Sequence, residues 1–140
     1  MTRALSRLFG VCVTDCGQGI DSPATASVRS EAHAVVLVTP ATAEGMRSTC
    51  ELLGRFGPAP RQVPPRVVVA LNTLSPAAVR GLRESEARKA FEWFGVPVVR
   101  LPYDRHLAAG GPITPSAISE TTLVAVTRLA GLALARAQPL

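Results

Sequence analysis

Two almost purely aliphatic stretches, Ala34-Val-Val-Leu-Val-Thr39 and Arg66-Val-Val-Val-Ala-Leu-Asn72, decide the fold of this chain. Their apolar residues are consecutive rather than alternating, which is typical of strands covered on both faces of a parallel sheet. Two shorter runs of the same kind are Gly10-Val-Cys-Val-Thr-Asp15 and Val96-Pro-Val-Val-Arg-Leu101. We therefore predict four strands, near residues 11–15, 34–38, 66–71 and 97–101.

Segments with helical periodicity lie between and after these strands, at residues 22–33, 42–56, 85–94 and 116–136. Thr42 is a suitable N-cap for the second, and Gly95 follows the third as a helix-ending glycine. Alternating strands and helices predict an α/β fold, with a three-layer, mostly parallel sheet of about four strands and helices on both faces. Ligands of such sheets bind at the carboxyl ends of the strands.

The composition is that of one folded domain. The chain has 140 residues, of which 47% are hydrophobic and 18% charged, a balance that excludes general disorder. We predict a short extension at residues 1–9 and a single domain over residues 10–138. Three cysteines without a secretory leader indicate free thiols in a reducing cytoplasm. The longest apolar stretch carries Arg128 and Arg136, which disfavours a membrane span.

The net charge of +5 comes almost entirely from arginine, because Lys89 is the only lysine. Such a charge permits contact with nucleic acid or with an anionic membrane surface. The arginines are spread along the chain rather than clustered, as at positions 29, 47, 55, 61, 66, 80, 83, 88 and 100. This spread favours a compositional habit over a nucleic-acid interface, and it leaves peripheral membrane contact as an open alternative.

The first strand end reads Val11-Cys-Val-Thr-Asp15-Cys-Gly-Gln-Gly19, which resembles the Walker B strand and following switch of P-loop NTPases. The segments at residues 32–42, 67–72 and 99–104 are similar, in order, to the "AD-hhhVT-PT", "hhhN" and "h-h-P-x-D" elements of MinD/ParA ATPases. The resemblance covers roughly residues 10–135. It is strongest to MinD-like proteins of actinobacteria, some of them associated with type VII secretion, which often read "DCGxG" and "PYDxHL".

This resemblance implies roles for two groups of residues. The Walker B and switch II-like residues are Asp15, Gly17 and Gly19, with Asp15 beside a magnesium ion when nucleotide binds. The residues that would line the adenine ring are Asn72, Pro102, Tyr103 and Asp104. The residues themselves leave plainer alternatives open: Asn72 as a turn residue, Asp15 as a local cap and His106 as a packing side chain.

The chain departs from the family at the phosphate-binding loop. It contains no G-x-x-x-x-G-K-[ST], and its only lysine, Lys89, lies within a predicted helix. The switch-I aspartate is missing as well, because the chain starts just before the Walker B-like run. Phosphoryl transfer depends on positioning and charge stabilisation by these groups. We therefore expect no ATPase activity from the chain alone, and ATP with magnesium only where a partner supplies the loop.

The resemblance and the missing loop together predict a degenerate MinD/ParA-like module of a truncated P-loop NTPase-like fold. We expect it to act by protein–protein interaction or self-assembly, in a secretion, partition or positioning system. Its expected partner is a second copy or a related full-length ATPase, since the run at residues 11–15 lacks a central neighbour. The alternatives are the C-terminal half of a split ATPase and a small nucleotide- or nucleic-acid-binding domain.

Overall fold

The computed structural model describes residues 9–17, 30–56, 66–77 and 84–137. It divides the chain into two compact units, Met1–His33 with Leu140, and Ala34–Pro139. The second unit holds three parallel strands, β1 (Val35–Pro40), β2 (Val67–Asn72) and β3 (Val98–Leu101), in the order β1-β2-β3. The predicted α/β class and three of the four predicted strands are confirmed.

Helices follow each strand of this unit. They are α1 (Ala43–Phe56), α2 (Glu84–Glu92), the single turn α3 (Arg105–Ala108) and α4 (Glu120–Ala135), with a 3₁₀ turn at Pro115–Ala117. The predicted cap of α1 is confirmed, because Thr42 Oγ1 accepts a hydrogen bond from Gly45 N at 3.0 Å. Gly95 follows α2 in a turn and has φ +67°, the conformation expected of a helix-ending glycine.

The fourth predicted strand, near residues 11–15, is not formed. Residues 11–17 carry no regular secondary structure, and Val11 and Val13 are 65% and 88% exposed. An apolar run becomes a strand only when a neighbouring strand makes hydrogen bonds to its backbone N–H and C=O groups. The sequence pattern alone does not show whether such a neighbouring strand is present. Most of the predicted helix at residues 22–33 lies outside the described residues, although Ser30 and Glu31 are helical.

Strand β2 forms the centre of the core. Each residue from Val67 to Leu71 is at most 3% exposed, so both faces of this strand are covered. Right-handed crossovers through α1 and α2 place both helices on one face, where Leu53 and Phe91 are completely buried. Helix α4 contacts β2 and β3 and covers the other face. Burying each such aliphatic side chain contributes about 1.5–3 kcal/mol.

Strand β1 is covered on one face only. Leu37 and Thr39 are buried, and Thr39 Oγ1 donates to Gly45 O at 3.0 Å, which shows that this face meets α1. Val36 and Val38 alternate with them and point to the opposite face, where they are 38% and 65% exposed. Helix α4 lies over β2 and β3, and these two valines of β1 remain exposed.

Gly45 sets the distance between α1 and the end of β1. A Cβ atom added there would overlap Pro40 O and would lie 2.9 Å from Thr39 Oγ1. Such an atom cannot be accommodated unless the helix moves away from the strand. The structure therefore requires glycine at this position for close packing, a role that helix propensity would not indicate.

We expect Gly45→Ala to destabilise the protein by about 1–3 kcal/mol, because the added methyl group overlaps strand backbone. Gly54→Ala is the matched control in the same helix, since an added Cβ there meets nothing within 4 Å. That control should be neutral or should stabilise by about 0.5–1 kcal/mol, through the higher helix propensity of alanine. Urea unfolding of both variants measures the difference, and equal effects would contradict the packing role of Gly45.

Candidate functional site

The carboxyl edge of the sheet brings together the ends of β1, β2 and β3. The register pairs Pro40 with Asn72 and Asn72 with Leu101, so the three strands end at the same level. Backbone hydrogen bonds tie these ends: Ala41 N donates to Asn72 O at 2.8 Å, and Thr73 N donates to Leu101 O at 3.1 Å. Asn72 and the 102–104 segment are therefore neighbours at one edge.

Asn72 closes β2 and is half-buried. Its backbone carbonyl is used by Ala41, while its side-chain amide makes no hydrogen bond among the residues that the structure describes. Pro102 and Tyr103 follow the neighbouring strand and are half-buried as well. This part of the edge keeps one amide and one aromatic side chain near solvent.

Asp104 is oriented differently, because its carboxylate points into the protein. Oδ1 accepts hydrogen bonds from His106 N at 2.9 Å and Leu107 N at 3.2 Å, which caps α3. Oδ2 accepts from Ser119 N and Ser119 Oγ, both at 2.9 Å. With four donors and only 7% exposure, Asp104 joins the end of β3 to two helix starts.

Those donors control the acidity of Asp104. The backbone N–H of Ser119 makes the largest contribution, and the hydrogen bonds from Leu107 and the Ser119 hydroxyl add to it. Together they hold the pKa of the carboxyl well below its usual range, although burial opposes them. The side chain is therefore a permanently charged structural acceptor at neutral pH.

Ser119 also determines where α4 begins. Its Oγ accepts a hydrogen bond from Thr122 N at 3.3 Å and lies 2.9 Å from the buried Thr122 Oγ1. The helix was predicted from residue 116, with a cap at Thr114 or Ser116, and this start is wrong. Residues 115–117 form a separate 3₁₀ turn, because the bond to Asp104 makes Ser119 the cap. A Ser-Glu pair before an apolar helical run was the signal that could have found it.

His106 fixes the loop between α3 and the 3₁₀ turn. Its Nε2 accepts a hydrogen bond from Thr114 N at 3.0 Å. The loop passes through Gly110 and Gly111, both at positive φ (71° and 96°), a conformation that favours glycine. The structure thus places His106 in loop packing, as the plainer interpretation of this residue predicted.

Asp15 and Gly17 lie in the first unit and form a local turn. Asp15 Oδ1 accepts a hydrogen bond from Gly17 N at 2.8 Å, and Gly17 has φ +59°. Both residues are exposed, and Gly19 lies outside the described residues. Within the described ranges, no group of three or more His, Cys, Asp or Glu side chains is placed to hold a metal ion. The predicted magnesium role of Asp15 stays a prediction.

A surface depression lies away from the sheet edge, on the outer side of α1. Its lining residues are Ser48, Thr49, Glu51, Leu52 and Arg55, all from this one helix. A ligand cleft is normally built from several elements with convergent polar groups. This depression therefore does not extend the candidate site. Among the described residues, no helix has the length and hydropathy to cross a membrane.

We expect Asp104→Asn to lower the melting temperature at pH 7 by about 5 °C or more, because both helix starts lose a charged acceptor. Differential scanning calorimetry measures the change. Asp15→Asn is the control, since that carboxylate accepts one local bond on the surface. A melting temperature for Asp104→Asn within about 1 °C of the control would contradict the structural role.

The pH dependence of unfolding tests the same carboxylate. Because the folded-state pKa of Asp104 is depressed, its stabilisation is present above the pKa of an unfolded aspartate, about 3.9. That stabilisation is lost as the pH falls from there through the lower folded-state pKa. We expect Asp104→Asn to flatten the loss of unfolding free energy below about pH 4 in urea titrations. An acid slope equal to that of the wild type would assign the loss to other groups.

Comparison with known proteins gives no family for the chain. Neither a protein-family model, nor a curated protein, nor a solved structure matches it significantly. The resemblance to MinD/ParA ATPases therefore rests on the motifs at residues 15–19, 72 and 102–104.

Proposed function

We propose that this chain is a degenerate MinD/ParA-like module that works through protein–protein contacts or self-assembly and does not hydrolyse ATP. It would serve a secretion, partition or positioning system as a regulatory or scaffold part. The observation that carries the proposal is the inward orientation of Asp104. Asp104 lies at the carboxyl edge of the sheet, and its oxygens accept from backbone N–H groups and a hydroxyl of its own chain.

The groups that a nucleotide needs at this edge support the same conclusion. Phosphates are held by a glycine-rich loop whose backbone N–H groups and lysine surround them. The sequence contains no such loop, and Lys89 lies within α2. In addition, the first turn of α1 is packed tightly against the end of β1 at Gly45. One amide of that first turn is already used by the chain, because Gly45 N donates to Thr42 Oγ1 at 3.0 Å.

Titration with ATP and magnesium tests the proposal. We expect isothermal calorimetry to show no saturable binding up to about 1 mM, because the phosphate cradle normally supplies most of the affinity. A working P-loop ATPase in the same buffer is the positive control. A dissociation constant well below about 1 mM would contradict the degenerate interpretation.

A second candidate function is the C-terminal half of a split ATPase that binds ATP with an N-terminal partner. One observation favours it: Asn72, which pairs with Leu101, and Tyr103, two residues beyond Leu101, are both half-buried at the carboxyl edge of the sheet. An amide can pair with an adenine edge. This candidate requires a separate chain that carries a GK[ST] loop.

Co-expression separates the two candidates. If a neighbouring reading frame encodes a GK[ST] loop, both chains are purified together and titrated with ATP and magnesium. The split-ATPase candidate predicts binding that Asn72→Ala weakens about tenfold, the loss of roughly one base contact. Our first proposal predicts no binding by the pair. Binding that is unaffected by Asn72→Ala would remove the adenine role of this residue.

A further inference from the structure

Two nested hydrogen bonds close the segment between β3 and α4. The outer bond runs from Ser119 N to Asp104 Oδ2 at 2.9 Å and joins residues fifteen positions apart. The inner bond runs from Thr114 N to His106 Nε2 at 3.0 Å and joins residues eight positions apart. The end of α3 and the loop of residues 109–113 lie between the two ends of the inner bond. The two acceptors are close in sequence, but they respond differently to protons.

The inner bond fixes the protonation state of His106. Its donor is a backbone N–H group, which cannot accept a hydrogen bond, so Nε2 must present a lone pair to it. A neutral imidazole has one such nitrogen, whereas the protonated ring carries hydrogen on both nitrogens and only donates. Protonation therefore breaks the bond and sets two N–H groups against each other. Histidine is the side chain that changes its charge between about pH 5 and pH 8.

Packing contributes little to the closure of the loop. Every residue from Leu107 to Ala117 is exposed. Gly110 and Gly111 have φ of +71° and +96°, and a Cβ atom added to either would meet nothing within 4 Å among the described residues. The loop thus runs through open space, and its two glycines give the backbone freedom to change conformation. Its position therefore depends on the hydrogen bond at its base.

The charged groups around the inner bond keep their charge in the range where histidine titrates. Residues 107–119 contain no titratable side chain. The pKa of the Asp104 carboxyl is held well below its usual range, mainly by the backbone N–H of Ser119. Arginine, glutamate and tyrosine side chains ordinarily titrate outside this range. The remaining ionisable residues from β3 to the first turn of α4 are of these three types: Arg100, Tyr103, Arg105 and Glu120.

We propose that His106 is a pH-dependent latch for the loop of residues 109–113. The neutral ring holds Thr114 and closes the loop, and the protonated ring releases it. The outer bond to Asp104 persists, so α4 keeps its start while the loop opens. Because this segment follows β3 at the carboxyl edge of the sheet, release of the loop changes the surface at that edge. The latch does not require the proposed function, since it involves only residues of this segment.

Relaxation of backbone ¹⁵N nuclei in the full chain tests the latch. We expect the order parameters of the Gly111 and Ile113 amides to fall from near the rigid value of about 0.85 at about pH 8 to below about 0.6 at about pH 5. Val69 lies in the centre of β2 and is completely buried, so its amide reports on the whole fold and should keep its value. A loop that is equally ordered at both pH values would overturn the latch, as would an equal fall at Val69.

Variants of the two histidines assign the pH response. His106→Gln retains a side-chain oxygen that can accept from Thr114 N and does not titrate, so we expect the response to disappear. His33→Gln is the matched control, because it removes the only other histidine, which is exposed and belongs to the first unit. That control should respond as the wild type does. A response that persists in His106→Gln, or that is lost in His33→Gln, contradicts the assignment to His106.

Removal of the acceptor separates a latch from a histidine that only reports the pH. We expect His106→Ala to leave the loop as mobile at about pH 8 as the wild type is at about pH 5, with Val69 unchanged. A loop that stays ordered in His106→Ala would show that other contacts hold it, and the latch would be wrong. Should a variant lose the fold at Val69, the wild-type titration and the His33→Gln control still decide.

Discussion

The carboxylate of Asp104 connects the parts of this fold that sequence distance keeps apart. It follows the end of β3 and caps α3 through Oδ1. Its Oδ2 accepts a hydrogen bond from Ser119, the N-cap residue of α4. This bond sets where α4 starts relative to the sheet, because Ser119 is the N-cap of the helix. Packing of α4 on β2 and β3 holds the rest of the helix in place.

The same carboxylate distinguishes this sheet edge from one whose acid faces a ligand. Parallel α/β sheets present polar groups to ligands at the carboxyl ends of their strands. Here the carboxylate of Asp104 accepts hydrogen bonds from its own chain. The first turn of α1 packs directly against the end of β1 at Gly45. Exposed apolar side chains lie on β1 and α4.

Much of the fold follows from local patterns. The aliphatic runs of β1, β2 and β3, the Thr42 cap and the glycine after α2 were all predicted from neighbouring residues, because each depends on contacts within a few positions. The run at residues 11–15 has the same composition and forms no strand. A strand needs a neighbour, and no local pattern indicates whether that neighbour exists.

The candidate site was less accessible to prediction. The sequence predicted that Asn72 and residues 102–104 lie at one edge of the sheet, because parallel strands end at the same edge. It did not indicate that Asp104 turns inward, because the decisive partner Ser119 lies fifteen positions away. The start of α4 was misplaced for the same reason: Thr114, Ser116 and Ser119 are comparable caps until a tertiary contact selects one of them.

The sequence by itself determined the class of the fold and the three strands β1, β2 and β3, because nearly continuous aliphatic runs favour the strands of a parallel sheet. It also determined the absence of a phosphate loop within these 140 residues. Only the tertiary structure decided where the polar and apolar groups of those segments point. Hydrogen bonds between distant residues turned Asp104 inward, and α4 packs on β2 and β3 while Val36 and Val38 of β1 stay exposed.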